Sequence, residues 1–333
     1  MPHVEMKTVE PTLDTGESYR IPYWHIDSGE DGPCVLVTAA LHGGELQGSE
    51  AVRRFKPIAE KDLLCGSCML IPFANPEATR RRQPHIDFEV GRYYGRDSVN
   101  NVNCSWPGDP EGSSAQRLSN ALFHAVVEPA AKLIDLHCWA RITGATGLAN
   151  SDRPDSIEAV NAAGPPFGRH GQWKPEVKER PITPCTLTSY FHDTDRTAFC
   201  VELSGQNGFW AEQVELGLQI LTNSFKHFGM LPGEPVTPKH PTVWLNDCEQ
   251  IDVLAPATGV FVAEPHSPGD RVKQGERLGH IVLMDSFEIV PVTAEADAAV
   301  FRFGNYREQT AMPSHPYVEE NEQLAVLVRP VSS

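Results

Sequence analysis

Along the first two-thirds of the chain, apolar residues come in short unbroken runs. Between these runs they recur at every third or fourth position. The run Pro33–Leu41 (PCVLVTAAL) is Val-rich and of strand length; such a run, bounded by turns, reads as a strand buried on both faces. Cys68–Phe73, Lys132–Cys138 and Thr197–Gly205 repeat the pattern, the first of these closed by the turn pair Asn75-Pro76. The spacing predicts helices over Gly44–Phe55 and Ser113–Ala130, the latter with Ser113 or Ser114 as N-cap and Pro129 near its end. Trp210–Phe228 predicts a long helix, stopped by Gly229 and Pro232. Strands alternating with helices predict an α/β fold on a mixed, mostly parallel sheet flanked by helices. Two polar, Gly/Pro-containing stretches, Gln83–Asn103 and Asn150–Thr188, are expected to be loops of the length used for lids and binding.

The pattern changes after residue 231. Over residues 232–241, Pro232, Pro235, Pro238 and Pro241 alternate with polar residues, which makes a stiff extended linker. Residues 242–333 then show short β-type segments with Gly turns and no helical periodicity. Val272-x-x-Gly275-Glu276-x-Leu278-x-x-Ile281 is echoed by Val318-x-x-Asn321-Glu322-x-Leu324-x-x-Leu327. Two such units predict a small β-barrel or sandwich. The expected division is thus an α/β domain over 1–231, the linker, and a β domain over 242–333.

The 333 residues suit two domains, and 40% apolar with 22% charged residues excludes a wholly disordered chain. With 28 basic against 44 acidic residues the net charge is −16. No nucleic-acid or anionic-membrane partner is expected, because either needs a basic face. A small anionic substrate held by a local arginine cluster stays compatible. No run reaches the ~20 apolar residues of a spanning helix, and the N-terminus has no basic segment followed by an apolar one, so a cytoplasmic location is expected. The eight cysteines lie mostly in apolar runs and are expected to be reduced and buried. Cys65 and Cys68 form a lone CxxC ahead of a strand, with no second pair for a zinc, and are expected to be inert.

Three groups of residues carry chemistry. His42-Gly43-Gly44-Glu45 ends the first apolar run, where ligands collect in α/β sheets. A catalytic zinc of the two-His, one-Glu type needs a second imidazole, and His137, at the end of another strand, supplies it. Asp135 projects to the same side of that strand and can orient His137. Against this, H-x-x-E is a weak motif, and a lone strand-end His is commonly a hydrogen-bonded core residue. Glu202 closes a third strand, and a carboxylate there can act as general base on an activated water; the alternative is an exposed strand-end acid. Arg80, Arg81 and Arg82 read either as a solvated loop face or as a clamp for an oxyanion or carboxylate.

As a set, these residues resemble the succinylglutamate desuccinylase/aspartoacylase family of zinc hydrolases, related to zinc carboxypeptidases. The family pattern H-G-x-E, N-P-x-A, D-L-N-R-x-F-P-G, D-L-H and V-E-x-G is matched by His42–Glu45, Asn75–Ala78, Asn101–Gly108, Asp135–His137 and Val201–Ser204. The resemblance implies one zinc per chain on His42, Glu45 and His137, with Glu202 as catalytic acid/base and Arg82 as the oxyanion donor. It places Asn103, Arg80 and Arg81 among the substrate-binding groups. The tail resembles the biotinyl/lipoyl module of larger members, but Met284–Phe287 holds no lysine at the hairpin tip a carrier needs, so a packing or gating role is expected. One departure matters. The family Asp and Arg are Asn101 and Cys104 here, and that Arg grips the substrate's carboxylate. Either the substrate lacks the carboxylate, or Arg92, Arg96 or Arg141 supplies the grip. The implied activity is a zinc-dependent amidohydrolase on an N-acylated amino acid or related small amine, with a homo-oligomer possible in the family. A carboxypeptidase or esterase on the same site, and a non-catalytic metal-binding scaffold, are the rival readings.

Overall fold

The computed structural model describes residues 1–87, 100–140, 142–171, 186–238, 240–305 and 315–331. In chain order the elements are β1 (His3–Val9), β2 (Ile21–Asp27), β3 (Cys34–Ala39), α1 (Gln47–Asp62), β4 (Ser67–Ile71), α2 (Pro76–Arg81), α3 (Ser114–Leu122), β5 (Lys132–Trp139), β6 (Thr146–Ala149), α4 (Pro154–Ala163), β7 (Phe167–His170), α5 (Leu187–Asp193), β8 (Thr197–Ser204) and α6 (Ala211–His227). Among the described residues only strands follow, one short 3₁₀ turn aside: β9 (Val243–Trp244), β10 (Cys248–Leu254), β11 (Gly259–Ala263), β12 (Arg271–Val272), β13 (Arg277–Val282), β14 (Ile289–Thr293), β15 (Ala298–Phe303), β16 (Tyr317–Val318) and β17 (Gln323–Pro330). The chain divides into two compact units. The first holds Met1–Trp139, Gly147–Pro165 and His170–Pro241; the second holds Ala140–Thr146, Pro166–Arg169 and Thr242–Ser333. Among the described residues, no helix is long and apolar enough to cross a membrane.

In the first unit the strands lie in the order β1-β2-β4-β3-β5-β8-β6. The centre, β4-β3-β5-β8, is parallel, while β1 and β2 add an antiparallel edge. Val35, Leu36, Val37, Ile134, Phe199 and Val201 of the central strands are fully buried. Parallel strands covered on both faces need such runs, and this is why they were legible in the sequence. Helices α1, α4 and α6 cover one face, with the Phe55 and Phe225 rings 4.7 Å apart between α1 and α6. Helix α1 lies close to the sheet because Gly48 has no side chain: a Cβ there would stand 2.7 Å from the Cβ of Leu136. The other face is filled by Leu13, Trp106, Leu118, Leu122, Leu187 and Phe191.

The segment Asn150–Thr188 is not one long loop. It contains α4, with Pro154 in the first turn and Gly164 in a left-handed C-cap whose N–H donates to Val160 O, and then β7. Ten residues with few large apolar side chains gave too short a pattern to read, although the Pro start and Gly stop were present. Residues 172–185 of that stretch, and 88–99 of the other, lie outside the described residues. Helix α3 starts at Ser113 in a capping box: Ser113 Oγ accepts from Gln116 N, and Gln116 accepts from Ser113 N.

The second unit contains two antiparallel four-stranded sheets, ordered β10-β17-β15-β12 and β14-β13-β11-β16. The sequence repeat maps onto them symmetrically. Val272 and Val318 lie on the end strands β12 and β16, and Leu278 and Leu324 on the second strands β13 and β17; all four are buried. Gly275 and Asn321 make the matching turns at φ 80° and 68°. Phe167, Ala299 and Val328 form a separate buried cluster beside the parallel pair β7–β9.

Candidate active site

The parallel strands deliver their C-terminal ends side by side, and the site stands there. Strand β3 ends at Ala39, and Ala40, fully buried, turns the chain with a positive φ of 53°, an uncommon conformation for a residue with a Cβ. Asn75 and its neighbour hold this turn. The N–H groups of Ala74 and Asn75 donate to Ala39 O and Ala40 O, both at 2.9 Å, and Asn75 Nδ2 donates to Leu41 O. The same side chain caps α2 by accepting from Ala78 N. Gly43 then passes against residues 78–84, donating to Pro84 O; a Cβ on it would come within 2.2 Å of Gln83 O. His42 is thereby aimed back over the strand ends, and Glu45 follows at the entry to α1.

His42, Glu45 and His137 come together, all three buried. His42 Nδ1 lies 2.9 Å from one oxygen of Glu45, and His137 Nδ1 lies 2.8 Å from the other. The remote nitrogens face acceptors. His137 Nε2–H donates to Asp135 Oδ2 at 2.9 Å, while Asp135 Oδ1 accepts from Thr38 Oγ1. His42 Nε2–H donates to Asn101 Oδ1 at 2.9 Å. Since both Nε2 atoms carry protons toward acceptors, each Nδ1 presents its lone pair to a carboxylate oxygen. That arrangement is satisfied only by a cation among the three groups, whether a proton or a metal ion. Two imidazoles and a carboxylate are also the donor set of catalytic zinc, so the residues fit such an ion. The same demand for positive charge shows in the ionisations. Burial alone would raise the Glu45 carboxyl, but His42 and His137 hold it well below the usual carboxylate range. Burial opposes a charged His137, yet Asp135 and Glu45 lift it well above an ordinary histidine. Glu45 is fixed further by Cys138 N at 3.1 Å and Gln206 Nε2 at 3.3 Å.

Glu202 is the register partner of His137 on the adjacent strand, so both point to the same face of the sheet. Burial first, and then nearby Glu45, raise its pKa to about 7, against the pull of His137. Asn103 reaches His137 Nε2 with its amide nitrogen at 3.3 Å and accepts from Leu187 N at 3.0 Å. Cys104 is buried, its thiol pushed up to about 11 by that burial, with His137 opposing. The arginine run is divided. Arg81 pairs with Glu77 at 3.0 Å and Glu17 at 3.4 Å, and Arg80 pairs with Glu77 at 3.3 Å. Arg82 is exposed in the left-handed C-cap of α2, two positions before the Pro84 carbonyl that holds Gly43. Arg92, Arg96 and Arg141 lie outside the described residues. Sequence reasoning did not find Gln206 as a partner of Glu45, nor His85, whose ring packs edge-on to His42 with centroids 5.4 Å apart. Both sit in polar stretches where nothing in the pattern marks them.

Residues 31–228 match the family model of the succinylglutamate desuccinylase/aspartoacylase catalytic domain. The N-alpha-acetyl-L-2,4-diaminobutyric acid deacetylase of Halomonas elongata is 22% identical over 293 residues, 83% of this chain and 78% of that protein. Among solved structures, a succinylglutamate desuccinylase/aspartoacylase of Rhodobacter sphaeroides superposes with a TM-score of 0.69 at 21% identity, covering 99% of this chain and 96% of its own. The product-bound ectoine utilization protein EutE of Ruegeria pomeroyi does so with a TM-score of 0.67 at 20% identity, covering 98% and 95%.

Proposed function

Because the chain belongs to the succinylglutamate desuccinylase/aspartoacylase family, we propose that it is a zinc-dependent amidohydrolase that removes the acyl group from an N-acylated amino acid or a related small amine. The observation that carries this reading is the Glu45 carboxylate, which offers one oxygen to each of two imidazole Nδ1 atoms, with Glu202 alongside. His42, Glu45 and His137 would hold the ion. Bound zinc supplies Lewis acidity, acidifying a water and polarising the scissile carbonyl.

The protein's own part is proton handling and placement. A carboxyl raised to about 7 is matched to accept a proton from the attacking water and to return it to the leaving amine. Asn103, beside His137, is the substrate-binding amide in this reading. Arg82 is the oxyanion donor in this reading, because the segment that carries it packs on Gly43, next to His42. Arg80 and Arg81, tied to acidic neighbours, serve the shape of that segment. The seven described cysteines are all free, which supports a cytoplasmic location.

The test has two arms. Metal analysis of the purified protein is expected to find one zinc per chain, with activity lost on chelation and restored by zinc. A panel of N-acetyl, N-succinyl and N-formyl amino acids and diamines, N-acetyl-2,4-diaminobutyrate among them, is assayed for released amine. Protein that lacks zinc and is not activated by it sinks the metal reading. Zinc protein that releases no amine from any of the panel sinks the deacylase reading.

A further inference from the structure

The two imidazoles of the site are backed unequally, and nothing in the function requires it. Behind His137 stands a carboxylate, Asp135; behind His42 stands a neutral amide, Asn101. We propose that Asn101 is a positioning residue for His42, and that its neutrality makes the site hold its metal ion less tightly than a carboxylate at the same place would. The inference rests on the metal reading above.

Asn101 Oδ1 also accepts from the backbone N–H of Asn103 at 2.9 Å. That donor identifies the atom as the oxygen, since an amide nitrogen could not accept from it. His42 Nε2 must therefore carry the proton, and Nδ1 is left as the ligating nitrogen. Asn101 is itself held in place. Its carbonyl accepts from Cys104 N and from Ser105 Oγ, both at 2.9 Å, and its side chain caps the short turn Val102–Cys104. The acceptor behind His42 is thus as fixed as the one behind His137, which is anchored through Thr38. The difference between them is charge.

That difference has a direction. A carboxylate behind an imidazole draws on the Nε2 proton and raises the electron density at Nδ1; a neutral amide does this less. Glu45 and Asp135 are the two carboxylates in contact with the histidines, and Glu202 stands alongside. A further carboxylate at residue 101 would add negative charge, tightening the hold on the ion and reducing its pull on a substrate carbonyl. Asn101 leaves the centre more electrophilic and its metal easier to lose.

The experiment measures zinc affinity by competition with a chromophoric chelator, and the visible absorption of the cobalt-substituted protein, for wild type, Asn101→Asp and Asn101→Leu. Asn101→Asp keeps both accepted hydrogen bonds and changes only the charge; it is expected to bind zinc tighter, by up to about tenfold, with shifted cobalt bands. Asn101→Leu keeps the approximate volume and loses the acceptor; it is expected to bind about 10–100-fold more weakly, with metal-free melting near that of wild type. Equal affinity and identical cobalt spectra for wild type and Asn101→Asp overturn the inference, whether or not Asn101→Leu folds. A wild-type protein that binds no zinc overturns the metal reading, and this inference with it. Zinc bound equally by all three proteins overturns this inference alone.

Discussion

Glu202 and His137 occupy the same level on neighbouring strands, yet their substitutions are expected to separate cleanly. Glu202→Gln is nearly isosteric and cannot accept the water's proton. It should keep zinc and fold while kcat falls by about 10²–10⁴; a near-normal kcat would remove the residue from the mechanism. His137→Ala should lose the metal itself, read by metal analysis after gel filtration. Cys104 raises a question of specificity. It is a buried neutral thiol, where the resembling family has a guanidinium for a carboxylate. A lost charge-assisted pair is worth ~1.5–3 kcal/mol, or roughly ten- to a hundredfold in kcat/KM. Substrates whose amine part is amidated or cyclic are therefore expected to outperform free N-acyl amino acids, and Cys104→Arg to reverse that ratio. A ratio that already favours free acids in wild type assigns the carboxylate to another cation, of which the sequence offers Arg92, Arg96 and Arg141. The candidate metal-binding histidines stood out at this scale because His42 and His137 each close a short apolar run. Asn101 was visible only as a departure from a motif, because its link to His42 spans 59 positions and no local pattern encodes it.

At the scale of elements, one side chain links the turn after β3 to the start of α2. Asn75 is fully buried, caps α2 and donates to Leu41 O. Asn75→Ala removes a cap worth ~1 kcal/mol and strands a buried carbonyl at ~1–3 kcal/mol. Urea unfolding should show a loss of about 2–4 kcal/mol, and zinc affinity should fall with it, since the segment that aims His42 loses its side-chain tie at Leu41. Helix α4 carries a pH effect of definite sign. Arg153 donates to both oxygens of Asp155, and Thr197 Oγ1 of β8 donates to one of them. The Arg153 hydrogen bond, against burial, lowers the Asp155 carboxyl to about 2 from 3.8. A carboxyl whose folded pKa is depressed contributes stability above its unfolded pKa. This tie of α4 to β8 should thus be complete above about pH 4 and lost as pH falls toward 2. The group is partly exposed, so screening keeps the effect small, below about 1 kcal/mol. Denaturant midpoints at pH 5 and pH 2.5 should differ less in Asp155→Asn than in wild type by that amount. The N-cap Ser113 was readable because capping is local. Strands β1 and β2 were not, because their apolar residues are interspersed with polar ones rather than continuous.

The whole molecule is not cut where the chain is. The second unit takes Ala140–Thr146 and Pro166–Arg169 from far upstream of the proline-rich segment. Phe167 is the clearest case: it is 1% exposed, and its ring lies 5.1 Å from that of Phe301 within that unit. Phe167→Ala should therefore weaken the second unit by about 3–5 kcal/mol, the cost of a large core truncation. Unfolding followed by the tryptophan of β9, Trp244, should show it; a change confined to the first unit would refute the assignment. What the sequence by itself determined is what neighbours in the chain decide: strand-length apolar runs, the capping box, the duplicated turn at Gly275 and Asn321, and residues at strand ends. Those features follow from local sterics, hydrogen bonding and the need to bury a continuous run. The tertiary structure alone decided which strand ends meet. It set His42 and His137 on the two oxygens of Glu45, put Asn101 rather than a carboxylate behind His42, turned Arg80 and Arg81 toward Glu77, and lent Phe167 to the second unit. Contacts between residues tens of positions apart are selected by how the whole sheet packs, and the pattern along the chain carries no record of that choice.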